Sequence, residues 1–134
     1  MLVGALVIVV SILVMIDAWA VIDAKLATDN AARQAARAYV LAPSQATAAA
    51  SASQAAVAAM AASGRDPARA SVTIAGTLRR CASISVSVAY PVQLLPVPLL
   101  GRQAATMLVR SVRREWVSPF RNGAAGQVPV NGCG

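Results

Sequence analysis

The chain begins with sixteen residues, MLVGALVIVVSILVMI, that carry no charged side chain; Asp17 is the first. Nothing else in the sequence constrains the fold so strongly. As a helix at 1.5 Å per residue the stretch is about 24 Å long, and about 33 Å if counted through Ile22, against a hydrocarbon layer ~30 Å thick. Residues 17–41 follow with neither Gly nor Pro and are rich in Ala, Leu and Arg. Those residue types favour helix, so the pattern predicts one helix that leaves the apolar segment and continues into water. The expected division is a transmembrane helix over 1–22 and a stem helix over 23–42. Asp17 then falls near one membrane interface and Trp19 at the depth of the aromatic belt.

Two competing readings place the same residues elsewhere. A cleaved secretory signal, which would free a soluble binding module, wants a basic segment ahead of a short apolar core. This run is long and no basic segment precedes it. A helix buried in a soluble core needs the remaining chain to cover it. Of the 57% hydrophobic residues much is alanine, and aromatics are 4% of the 134 residues, so that cover is thin.

On the stem, Lys25, Asp29, Arg33 and Arg37 recur every four residues and form one charged face, with Lys–Asp and Asp–Arg pairs in reach. Roughly opposite lie Ala27, Ala31, Ala38 and Leu41. This small-residue face suits close approach of a neighbouring helix, which makes Ala27, Ala31 and Ala38 candidate helix-packing residues beside Asp17 and Trp19. Pro43 ends the stem. Ser44 is placed to cap a second helix, SQATAAASASQAAVAAMAAS, and Gly64 to close it. That helix has high propensity but little to bury; only Val57 and Met60 offer grip.

After RDPAR the period changes from 3.6 to 2. SVTIA sets Val72 and Ile74 on one face. CASISVSVAY alternates Ile84, Val86, Val88 and Tyr90 with Ser83, Ser85, Ser87 and Ala89, the clearest strand pattern in the chain. AGTLRR between them reads as a hairpin connection. PVQLLPVPLLG has three prolines and reads as an extended apolar loop touching the membrane or a partner. ATMLVRSVRREWV fits a third antiparallel strand better than a helix through Val109, Val112 and Trp116. The expected architecture is therefore α+β: a long N-terminal transmembrane and stem helix, a second Ala-rich helix, and an antiparallel sheet of about three strands. The α+β ectodomain would span 43–121, with an irregular Gly/Pro-rich tail over 122–134.

The chemistry is sparse. The chain has no histidine, so Ser–His, Cys–His and the common metal sets cannot be built. The carboxylates are Asp17, Asp23, Asp29, Asp66 and Glu115, with nothing to join any two as an acid–base pair, and Ser–Lys chemistry would rest on Lys25 alone. No enzyme activity and no cofactor are expected. Cys81 and Cys133 belong to no CxxC motif; they form one disulfide outside the cell or remain two free thiols. The net charge of +7 comes from scattered basic residues with short pairs at Arg79–Arg80 and Arg113–Arg114. A nucleic-acid surface would gather them among aromatics. The scatter favours a solvated basic surface facing anionic lipid or an acidic polymer. DNA capture by the arginines stays as an alternative, with steep salt dependence as its mark.

Three stretches taken in order, AARQAARAYVLAP at 31–43, YPVQLLPVP at 90–98 and WVSPFR at 116–121, resemble the TadE-like proteins of actinobacterial Tad (Flp) pilus and secretion clusters. The likeness extends over roughly residues 5 to 121. It implies a pilin-like fold and a minor pilin or pilus-assembly pseudopilin. Such a protein is single-pass in the cytoplasmic membrane with its C-terminal part outside, and its partners are the bilayer and other pilins, pseudopilins or Tad-type assembly subunits, as a homo- or hetero-oligomer through the N-terminal helix. The positive-inside rule alone would place Lys25 onward in the cytoplasm, so orientation rests on the resemblance. Family members usually carry a basic leader, a glycine before a cleavage point and a glutamate soon after it. Here Gly4 is followed by no acid before Asp17, so no processing site is assigned.

Overall fold

Helix α1 runs unbroken from Leu2 to Leu41. The computed structural model describes residues 2–96, 105–122, 124–127 and Cys133. The 40-residue helix is about 60 Å long, and its two halves have different surroundings. Ahead of Ala24 no described residue is fully buried; from Ala24 onward one face is, through Ala27, Thr28, Ala31, Ala32, Ala35, Ala36 and Tyr39. Ala42 and Pro43 end α1, and helix α2 (Gln45–Ala62) returns alongside it, so that Arg65, just past α2, reaches Asp23. Alanines 48, 52, 56 and 59 of α2 are buried against this hairpin. Alanine faces on both helices let the backbones approach closely, and Tyr39 and Met60 fill the volume that remains.

Two details of α2 differ from expectation. Met60 is buried, but Val57, one turn before it, stands 47% exposed. Ser44 occupies the N-cap, yet its hydroxyl meets Thr47 Oγ1 at 3.1 Å and caps no backbone N–H. The C-terminus closes as the sequence suggests. Gly64 takes φ +69°, its N–H donates to Ala61 O, and the Arg65 N–H donates to Met60 O at 3.0 Å, the reciprocal pair of a Schellman motif.

A single 3₁₀ turn over Pro67–Arg69, capped by the Asp66 side chain accepting from Ala68 N–H, leads into the sheet. Its strands are β1 (Ser71–Ala75), β2 (Ser83–Gln93) and β3 (Thr106–Trp116), antiparallel in the order β1-β2-β3. The α+β architecture is thus the one the alternations predict. Ile84, Val86, Val88, Tyr90 and Val92 of β2, with Val109 and Ser111 of β3, are buried in the same core as the stem helix. The serines of β2 fall on the other face.

The first proline of the expected loop lies inside β2, where Pro91 pairs with Leu108. Its carbonyl accepts from Arg69 Nη2, on the side where β1 has already ended. The missing N–H points the same way, so no rung to β3 is lost. Pro91 is tolerated because β1 is short. The rest of the apolar stretch, residues 97–104, lies outside the described residues, as do parts of the Gly/Pro-rich tail.

At the end of the sheet away from the apolar half of α1, the Tyr39 hydroxyl donates to Gly76 O, and Gln45 bridges Tyr39 and the Leu78 N–H. Gly76 has φ +116°, and a Cβ there would sit 2.9 Å from Ser83 O, so the turn into β2 requires glycine.

Candidate functional site

The strongest candidate is the first half of α1. An 18-residue window there has a mean hydropathy of 2.7 and none of it is buried. The core helix of a soluble protein would be mostly covered. This helix is long and apolar enough to cross a membrane, and its side chains make no core of their own. Trp19 lies within this half of the helix and is 66% exposed.

Asp17 is held by the chain itself. One carboxylate oxygen accepts the backbone N–H of Leu95 at 3.0 Å, linking the foot of the sheet to the point where the uncharged run ends. The expected small-residue face is also used internally. Ala27 and Ala31 are buried within the fold and Ala38 is half-buried. Ala27 and Ala31 therefore cannot pack against a sibling helix, and any lateral helix contact must use other residues.

The charged row on the stem splits in two. Arg33 and Arg37 face solvent. Lys25 and Asp29 instead clamp β3. Lys25 Nζ donates to the Arg110 carbonyl and, at 3.1 Å, to Ser111 Oγ, which also meets the Thr28 hydroxyl at 3.1 Å. Asp29 accepts from Arg113 Nε at 3.1 Å and Nη2 at 2.7 Å, and from Arg33 at 2.8 Å. Among the described residues the Lys25–Asp29 pair suggested by spacing does not form. Ser111 is a polar residue that the structure buries against Thr28. The alternation that sets Val109, Ser111 and Arg113 on one side of the strand is the sequence signal for this clamp.

The forked bond from Arg113 holds the Asp29 carboxyl below its ordinary value of 3.8; partial burial opposes this, and the charges of Arg113 and Arg33 add to it. A carboxylate with a depressed folded value stabilises the fold above its unfolded value and loses that contribution as pH falls. Asp29→Asn should therefore cost about 1 kcal/mol at neutral pH, the modest amount expected of a largely solvated pair. The difference from wild type should fade below about pH 4. Thermal melts of both proteins across pH 3–7 check this.

At the far end Cys81 and Cys133 are bonded, S–S 2.03 Å with Cα atoms 5.3 Å apart. The tail is stitched beside them by Arg80 N–H to Ala125 O at 2.9 Å and Ala125 N–H to Leu78 O at 3.3 Å. Among the described residues no cluster of three or more His, Cys, Asp or Glu side chains could hold a metal ion. A shallow groove between the helices is lined by Asn30, Gln34 and alanines 55, 58, 59 and 62, and carries no titratable side chain.

The class defined by these features is an α+β head carried on a long helix whose apolar half is left uncovered. No family model, curated protein or solved structure matches the chain.

Proposed function

We propose that this chain is a single-pass membrane protein that works by protein–protein packing, as a TadE-like minor pilin or pseudopilin of a Tad-type pilus or secretion system. The observation that carries the reading is the division of one continuous helix into an uncovered apolar half and a half locked into a small head. Such a division gives the bilayer one end and neighbouring subunits the other. The family in this reading rests on the resemblance of three sequence stretches, in their order, to TadE-like proteins. The Cys81–Cys133 bond supports placing the head on the extracytoplasmic side, because disulfides persist in oxidising compartments. With Ala27 and Ala31 occupied, contact with sibling helices falls to the exposed residues of the apolar half. The role is non-enzymatic and needs no cofactor.

The test uses the producing cell. Removing the chain is expected to abolish Tad-type surface filaments or the secretion they serve, with recovery on complementation. A photo-crosslinker at Val9 or Ile12 should trap another pilin-like or assembly subunit. Normal filaments without the chain, together with crosslinks to lipid alone, would overturn the proposal.

A further inference from the structure

Resting on the anchor reading above, we infer that the foot of the sheet is a second membrane-contacting surface: Leu95, Met107 and Leu108 lie in the headgroup layer of an anionic bilayer, and Asp17 holds them there. Three contacts fix the placement. The Leu95 N–H bonds to Asp17, one residue past the uncharged run. Leu94 N–H donates to Ala105 O at 2.8 Å, closing β2 against the start of β3 at that level. β3 then climbs alongside α1, meeting Lys25 through Arg110 and Asp29 through Arg113. Met107 and Leu108 therefore sit between the levels of Asp17 and Lys25.

That collar is apolar and uncovered. Leu95 is 45%, Met107 47% and Leu108 61% exposed, and Trp19 and Ile22 project at the same height. It is also basic. Lys25, Arg65, Arg69 and Arg110 surround it, Arg69 through its bond to Pro91 O and Arg65 through Asp23. Asp23, paired with Arg65, and Asp17, held by the Leu95 backbone, offset two of these four charges, and the collar stays net positive. Apolar side chains beside cations match the interface of a membrane carrying anionic lipid, which attracts basic residues held near its surface. Continuity with the apolar helix makes the occupant lipid and not a second copy. Two points of contact would fix the tilt of the whole molecule relative to the membrane, which a single helix cannot do.

Depth-dependent quenching tests this on the full chain in vesicles of phosphatidylglycerol and phosphatidylcholine, part of the lipid brominated at acyl carbons 6 and 7. With Trp19 and Trp116 replaced by Phe, Leu95→Trp and Leu108→Trp place single reporters at exposed positions. Both should be quenched at least half as strongly as Trp19 in the Trp116→Phe chain. Trp116 in the Trp19→Phe chain, at the far end of β3, should be unaffected. Adding Asp17→Ala should lower quenching at position 95 at least twofold and leave that of Trp19 unchanged. Vesicles of phosphatidylcholine alone should weaken quenching at position 108 by a similar factor. Quenching of Trp19 without quenching at 95 and 108 overturns the collar and leaves the anchor standing. An unquenched Trp19 overturns both.

Discussion

Replacing Val9 and Ile12 together by arginine is expected to move the chain from the carbonate-resistant membrane fraction into the extractable one, with the head still folded. Both side chains are exposed and neither belongs to the core. About a dozen large aliphatic residues fill the segment, each favouring insertion by about 0.3–0.6 kcal/mol. The ten that remain after the exchange sum to roughly −3 to −6 kcal/mol, and two arginines near the middle add about +5 to +7. The drive to insert is therefore cancelled or reversed. Val57→Arg is the control, since Val57 is just as exposed but lies on α2. It should stay in the membrane fraction. Near-ultraviolet circular dichroism of the extracted double variant should match that of the parent, because Val9 and Ile12 lie outside the head's interior, which α1 reaches only from Ala20 onward. If the head unfolds instead, the segment was part of a core and the anchor reading fails.

Much of this architecture was legible because two periods do not overlap. The 3.6-residue pattern through Tyr39 and the alternation from Ile84 to Tyr90 each select one element, and the structure has both. The ambiguous stretch at 105–117 resolves as β3, which turns Val109, Ser111 and Arg113 inward. Errors arose where tertiary contacts decide the partner. Spacing paired Lys25 with Asp29, but a strand 85 residues away offers Lys25 a carbonyl and a hydroxyl. Small residues on the stem suggested contact with a sibling helix, yet Ala27 and Ala31 are buried in the chain's own core, where α1 packs along α2 and the sheet. A sequence pattern reports that a face is small; it does not report which helix will reach that face. Pro91 misled for a related reason, because whether a proline ends a strand depends on which neighbour its nitrogen faces. The Asp17–Leu95 bond joins residues 78 apart through a backbone N–H, which no side-chain pattern encodes.

Reduction of the Cys81–Cys133 bond is expected to lower the stability of the head by up to about 4 kcal/mol, the chain-entropy value for a cross-link closing a loop of this size. The bonded residues are 52 apart, and the loop between them contains all of β2 and β3. Freeing the tail therefore enlarges the unfolded ensemble of most of the sheet. The realised loss should be smaller, because Ala125 keeps its backbone bonds to Leu78 and Arg80 without the cross-link. A melting temperature lower by about 10–20 °C in reductant is the expected reading for a head of this size. Cys133→Ser should melt at that lower temperature with or without reductant, which separates the cross-link from any other effect of the reagent. A bond of this value is useful only where it survives, so the same comparison made on protein recovered from cells, trapped with a thiol-alkylating reagent before lysis, reports the compartment of the head. Full alkylation of both cysteines would place it in a reducing compartment and count against the extracytoplasmic orientation, whatever the anchor does.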